Sequence, residues 1–423
     1  MDRPGDKALG FAALGLSGVA AYGFLAVAGH ALGPRDFAPL GALWALVFLA
    51  TAAVAGPLEL AVARSVAASR ARQETPRAAA RSGFVLAILA GITAAATMLL
   101  VGGWLEREVF AGHAGYSASA AAAFGGLMLG AVAKGVCAGS DHLAGWGSYL
   151  LADGGTRLAL AVVAASAMPT PAAFAAALAI APWIALLAPA VPLRKFLAAG
   201  HPLPERESVV GLARSAAPLI VAAAVAAALT YMGAVMLPFL EPAPSARVGA
   251  TIGALSLARV PLFVLAPLVA IAVPRIAFAA QTDDMRQAWR AAAILVGTAG
   301  VTGFVVLLVA GAGEGPVTWL FGPGFVIPEG SLRAVAIAAA GWLIATAATS
   351  VAIGFGQGRL AALAWSAGLA VAVVAALIAG PDAFARTDAA VSLGSIAAAL
   401  SGVLAAGVVL RSNRLRVEFG MSA

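Results

Sequence analysis

Long runs without a single Asp, Glu, Lys or Arg dominate the chain, separated by short charged clusters. The uninterrupted runs cover residues 8–34, 37–58, 82–105, 109–133, 158–193, 215–240, 291–313, 334–358, 360–381 and 389–410. A hydrocarbon layer roughly 30 Å thick takes about 20 predominantly apolar residues in a helix, so each run is long enough to cross it. Two further spans emerge when an internal charge is tolerated: 145–167, holding Asp153 and Arg157, and 248–274, holding Arg259. The turn Met168-Pro169-Thr170-Pro171 ends the first of these, because prolines flanking a short polar break stop helices. The remainder of that run, to residue 193, is a span of its own. The pattern predicts an all-α polytopic membrane protein with about twelve transmembrane helices.

Composition agrees. Of the 423 residues, 62% are hydrophobic and 11% charged, against about 25% charged in a soluble domain. The net charge of +7 is not a nucleic-acid signature, because no soluble domain exists to gather the basic residues on one face. A single cysteine, Cys137, excludes an intrachain disulfide framework, and His30, His113, His142 and His201 are scattered without metal-ligand spacing. No metal or cofactor is expected. The first apolar run far exceeds the roughly 7–15 residues of a signal-peptide core, and its flank mixes Arg3 and Lys7 with Asp2 and Asp6, so it is expected to be retained.

Twelve spans put alternate loops on the same side, and basic residues assign the sides. Eighteen Lys and Arg fall on the side of the two termini, chiefly Arg64, Arg70, Arg72, Arg77 and Arg81. The other side has Arg35, Arg107, Arg247 and Arg386, with Arg333 at a helix entrance. The positive-inside rule therefore expects both termini in the cytoplasm and the chain in the cytoplasmic membrane. Trp104 and Trp319 fall near the outer boundary and Trp146 and Trp289 near the inner one, as in interfacial belts. All connections are short and no Gly-x-x-x-x-Gly-Lys-Ser/Thr stretch occurs, which argues against a nucleotide-driven pump and against an extramembrane catalytic domain. If the protein moves something, an ion gradient or the substrate's own gradient must drive it.

The spans divide six and six, predicting an N-terminal bundle over 1–196, a cytoplasmic linker over 197–210 around His201-Pro202-Leu203-Pro204, and a C-terminal bundle over 211–423. Pro57-Leu58 before Arg64 and Pro267-Leu268 before Arg275 form a faint echo between the halves. Two stretches carry a resemblance. Leu32-Gly33-Pro34-Arg35-Asp36-Phe37, followed by a span ending Gly56-Pro57-Leu58-Glu59-Leu60-Ala61-Val62-Ala63-Arg64, resembles the opening of polysaccharide-biosynthesis flippases of the multidrug/oligosaccharidyl-lipid/polysaccharide (MOP) superfamily. Trp319-Leu320-Phe321-Gly322-Pro323-Gly324-Phe325 is similar to the short Phe-Gly-x-x-Phe/Tyr element of that family's second half.

The resemblance implies two six-helix bundles around a central cavity, open alternately to each side. They would move a lipid-linked (poly)saccharide between leaflets, with the lipid bilayer and a coupling ion, H+ or Na+, as further partners. Such a substrate carries a phosphate or pyrophosphate, so cations inside spans are the residues to find. Arg259 lies midway along its span, where an arginine is expensive unless it faces water or a partner. It is the first substrate-binding candidate, against a structural arginine bonded to carbonyls beside Pro261. Asp153 and Arg157 are four apart on one helical face in the favourable order. They read either as a neutralising pair or as a site in which Arg157 binds phosphate and Asp153 carries the coupling ion. Lys134 either joins them or reaches toward the interface. Glu59 is a second ion-coupling candidate, placed near the inner boundary where solvation competes with that role. An arginine in the eighth span also resembles the lipid II flippase branch, but the first span offers no arginine between 8 and 32, so the other cavity arginines of that branch have no clear counterpart there. The alternatives are a major-facilitator transporter, a multidrug exporter of the same superfamily, and a membrane-embedded glycosyltransferase or polymerase. The 67–81 loop lacks the glycine and aspartate of the major-facilitator element, and Glu106, Glu108, Glu241 and Glu314 lie in loops small for catalysis.

Overall fold

The computed structural model describes residues 4–73, 76–190, 208–241, 243, 245–282 and 284–419, and these residues contain helices and no strand. The expected linker over 197–210 lies for the most part outside the described residues, as do Arg194, Lys195 and Arg206. The first half holds α1 (Pro4–Ala50), a π-helical turn (Thr51–Ala55), α2 (Gly56–Ala71), α3 (Arg77–Glu108), α4 (Tyr116–Gly139), α5 (Leu143–Ala167) and α6 (Pro171–Ala185). There follow α7 (Val209–Leu240), α8 (Ala246–Leu257), α9 (Val260–Gln281), α10 (Met285–Gly311), the short α11 (Gly315–Phe321), α12 (Glu329–Gly354), α13 (Gly358–Ile378) and α14 (Ala383–Phe419).

Ten stretches among the described residues are long and apolar enough to cross a membrane. One of them, Ala12–Ala71, carries the first two expected spans, and the shorter apolar helix Pro171–Ala185 stands where the sixth was expected. The first two spans part at Gly33, whose backbone is non-helical (φ 69°, ψ 168°). Only glycine adopts that angle cheaply, and Pro34 then opens the next helix where its missing N–H costs nothing. The second span is irregular for a related reason. Pro57 cannot donate to the carbonyl four residues back and its ring crowds that carbonyl. The helix answers by widening over Thr51–Ala55, where the Gly56 N–H reaches the Thr51 carbonyl.

The eighth span differs from the continuous helix expected over 248–274. It breaks between Leu257 and Val260, leaving Ala258 and Arg259 at the junction. Pro261 is the cause: it sits in the first turn of α9, cannot donate to the Leu257 carbonyl four residues back, and crowds that carbonyl with its ring.

The chain forms two compact units. Unit 1 comprises Met1–Ala227, Glu241–Gly249 and Leu320–Phe325, and unit 2 comprises Ala228–Leu240, Ala250–Trp319 and Val326–Ala423. In unit 1, α4 is the central helix, packed on α2, α3, α5 and α6. Its core joins Leu58, Val62 and Val66 of α2, Ala80 and Ala87 of α3, and Met128, Val132 and Val136 of α4 to Leu212 and Ala216 of α7. Helix α3, by contrast, leaves most of its apolar surface exposed, with Leu99 and Leu100 fully outward, as a helix facing lipid does. Unit 2 is built around α12, whose alanines are buried on nearly every side against α10, α13 and α14.

Close approach of α4 to α2 depends on Gly135 and Gly139. A Cβ added at Gly135 would lie 2.6 Å from the Glu59 carbonyl oxygen, and one at Gly139 would strike the Ala63 carbonyl and stand 2.8 Å from Val66 Cβ. Two bare positions four apart on α4 thus rest on the α2 backbone, the small-residue contact that membrane helices use where hydrophobicity cannot drive association.

Candidate functional site

Helix α5 sets out its polar and aromatic groups at spacings of three and four: Trp146, Tyr149, Asp153 and Arg157. In a helix these lie on one face, over a length of about 16 Å. The stripe carries two of the site candidates, Asp153 and Arg157, at one end. Arg157 Nη2 donates to Asp153 Oδ2 at 2.6 Å. The arginine side chain is 2% exposed and the aspartate 14%. The guanidinium carbon also lies 5.4 Å from the ring centroids of both Trp44 and Phe48 on α1, so aromatic faces replace the water it has lost. The pair is not saturated: Arg157 Nε and Asp153 Oδ1 are buried without a hydrogen-bond partner. Hydrogen-bonding capacity left unused at a buried charge is costly.

The other end of the stripe meets Glu59. Lys134 Nζ on α4 donates to Glu59 Oε2 at 2.5 Å, and Trp146 Nε1 donates to Glu59 Oε1 at 2.8 Å. Neither charge is bathed in solvent, the two side chains being 18% and 19% exposed. Glu59 is therefore less solvated than expected, Lys134 pairs with it and not with Asp153, and Trp146, expected near the inner boundary, bonds to the same acid. The reason is the glycine contact described above, which brings α4 against α2 and sets Lys134 beside the acid. At the same end, Arg70 donates to Asp141 Oδ2 at 2.8 Å and to the Gly139 carbonyl at 3.2 Å, tying the end of α2 to the α4–α5 turn.

Tyr149 stands between the two ion pairs. Its ring lies 5.8 Å from Lys134 Nζ, its hydroxyl is buried without a hydrogen-bond partner, and Glu59, Asp153 and Arg157 are all its electrostatic neighbours. Sequence reading missed Tyr149 and the bond that Trp146 makes to Glu59. The available signal was their spacing to Asp153 and Arg157, which places all four on one helical face.

Arg259 belongs to unit 2, whereas the residues above belong to unit 1. It is 4% exposed. Its Nε donates to the Thr230 carbonyl on α7 at 3.2 Å, and its guanidinium stacks 4.1 Å from the Tyr231 ring centroid. That carbonyl belongs to another helix, α7. An apolar cavity of about 230 Å³ nearby is lined by Leu257, Pro261, Val305 and Val335 among others, and Arg259 is not part of its wall. A second residue that sequence reading passed over is Asp388, at the start of the last span, where its Oδ2 accepts from Ser331 Oγ at 2.7 Å.

Stacking on a buried ring is worth up to about 2 kcal/mol for a desolvated guanidinium, and a lysine cannot reproduce it. Arg259→Lys and Tyr231→Leu are each expected to lower thermal stability in detergent, and the double variant is expected to lose less than the sum of the two. Additive losses would mean that the stack contributes nothing.

No known protein family and no curated protein matches the sequence. Solved structures do match. An inward-facing multidrug resistance MATE family transporter of the MOP superfamily superposes with a TM-score of 0.73 at 15% identity, covering 95% of this chain and 96% of its own. The outward-facing conformation of a transporter so described superposes at 0.72 with 14% identity, covering 98% and 100%. A eukaryotic MATE transporter matches at 0.60 with 14% identity, covering 96% and 100%. At these identities the likeness concerns the fold: an all-helical architecture of two helical bundles, that of MATE transporters.

Proposed function

We propose that the chain is a secondary transporter that works by alternating access and moves a lipid-linked anionic glycan between the leaflets of its membrane. The fold supports the transport cycle, since structures sharing it have been captured facing inward and facing outward. The observation that carries the substrate class is the buried Arg157–Asp153 pair with its unused Nε and Oδ1.

A phosphate or diphosphate entering hydrocarbon must exchange its water for fixed donors, and a guanidinium offers a planar fork suited to that oxygen geometry. In this reading the headgroup replaces Asp153 on Arg157. The displaced carboxylate then needs a new counter-charge, and a proton or Na+ supplies it, which links substrate movement to an ion gradient. Glu59, held by Lys134 and Trp146, is the second coupling group.

A second reading is multidrug export, which the matched structures' descriptions name. The feature of this chain that favours it is an apolar hollow of about 360 Å³ in unit 1, lined by Leu46, Val54, Thr93, Met98 and Phe124 among others. Ligand binding raises melting temperature by mass action, by about 2.7 kcal/mol of stability at a hundredfold excess over the dissociation constant. A polyprenyl-diphosphate-linked N-acetylglucosamine is therefore expected to stabilise the purified protein and to lose that effect in the Arg157→Met variant. Ethidium is expected to leave the melting temperature unchanged. Stabilisation by ethidium alone would reverse the choice between the two readings.

A further inference from the structure

Residues Leu320–Phe325 belong to unit 1, yet the chain on both sides of them, through Trp319 and from Val326 onward, belongs to unit 2. Six residues of the second half are thus lodged in the first unit. We propose that this segment is a detachable clasp, seated on the Gly33–Pro34 break of α1 in one transport state and withdrawn in the other. The proposal rests on the alternating-access reading above.

The seat is aromatic. Phe37 meets Phe321 and Phe325 edge-on, with ring centroids 5.4 and 5.3 Å apart, and those two rings stack on each other at 5.3 Å. All three are buried, while the flanking Trp319 and Val326 are exposed, Trp319 to 80%. The backbone approaches closely as well: a Cβ on Gly29 would lie 2.9 Å from the Phe321 carbonyl oxygen, and one on Gly324 would lie 3.1 Å from Pro34 Cδ. Ring stacking and apolar burial bind without fixed ionic geometry. Two phenylalanines amount to a contact of the size that separates conformational states rather than of a permanent interface.

The segment is also tied within itself by bonds that do not involve the seat. Glu314 accepts the Ile327 N–H at 2.9 Å, joining the two ends of the loop within unit 2, and the Phe325 N–H donates to the Gly322 carbonyl at 3.2 Å across its tip. The loop is a preformed tongue, closed at its base, so withdrawing it does not require refolding it. The two stretches singled out from sequence, around Gly33-Pro34 and around Phe321-Gly322, are the two halves of this contact.

Thiol reactivity tests the proposal in a Cys137→Ala background, which removes the only native cysteine. Phe321→Cys on the tongue and Phe37→Cys on the seat are alkylated with a maleimide, alongside Trp319→Cys as an exposed control and Ala338→Cys, buried in α12, as a static one. Both probes are expected to react at least about tenfold faster than Ala338→Cys, through transient release, and more slowly than Trp319→Cys. Protection of both at the Ala338→Cys rate would make the segment a fixed anchor and overturn the proposal. Reaction at one probe alone, which local distortion by that substitution produces, also overturns it. In proteoliposomes, joining Phe37→Cys to Phe325→Cys with a reducible thiosulfonate cross-linker is expected to cut translocation of the diphosphate-linked sugar at least about tenfold, with recovery on reduction. Undiminished translocation in the cross-linked protein would overturn it too. If the protein translocates nothing before cross-linking, the transport reading fails, while the thiol rates still decide whether the clasp opens.

Discussion

Asp153→Ala should destabilise the folded protein by about 3 kcal/mol, because it leaves a guanidinium buried without its counter-charge. Arg157 is 2% exposed and hemmed in by Trp44 and Phe48, so it cannot swing into water when the carboxylate disappears. Replacing both partners removes the problem rather than deepening it. The double variant Asp153→Ala/Arg157→Met should recover most of the lost stability, since an apolar side chain of similar length fits among those rings. Thermal unfolding in detergent reads both effects. Function separates from folding here: the double variant is expected to fold and to transport nothing, because the proposed phosphate-binding group is gone. Equal destabilisation by the single and double changes would mean that Asp153 acts through packing, and the pair would lose its special status.

Gly135→Leu is expected to have an effect of similar size by a different route. The new side chain would meet the Glu59 carbonyl and Val62, and a backbone carbonyl in a helix cannot rotate aside. Overpacking of this kind costs about 1–3 kcal/mol, and the upper end applies where the obstacle is main chain. Helices α2 and α4 would have to separate, carrying Lys134 away from Glu59, so loss of the ion pair follows from loss of the helix contact. Gly155→Leu is the control. That glycine has open space where its Cβ would stand, and it sits on the exposed side of α5. It should tolerate leucine with little change in melting temperature. Comparable losses at both positions would point to a general helix effect rather than to close approach.

Lipid made the spans legible from sequence, because a helix in hydrocarbon must satisfy its backbone internally and cover itself with apolar side chains. One break governed by backbone chemistry could be read too, the Met168–Pro171 turn, whereas the split between the first two spans was marked by the charges of Arg35 and Asp36. The Asp153–Arg157 pair followed from a spacing of four. Contacts between distant segments could not be read in the same way. Glu59 meets Lys134 across 75 positions, and Phe37 meets Phe321 across most of the chain. Helix orientation is normally inferred from an apolar face, but here the lipid side and the packed side are both apolar, so the pattern that would point α4 toward α2 is absent. Arg259 shows the same limit at one residue. Its position in an apolar run suggested a mid-helix charge, whereas Pro261 opens the helix just beyond it and the side chain turns back onto α7. The fold was therefore more accessible than the site, whose geometry depends on which glycines let helices touch.

Leaflet exchange in reconstituted liposomes tests the central claim most directly. A fluorescent polyprenyl-diphosphate sugar is placed in one leaflet, and its appearance in the other is followed with a membrane-impermeant quencher. The account predicts movement well above that in protein-free liposomes for the wild-type chain, and movement at the protein-free rate for the folded Asp153→Ala/Arg157→Met variant. Movement by that variant at the wild-type rate, or none by the wild-type chain under an imposed ion gradient, would contradict it.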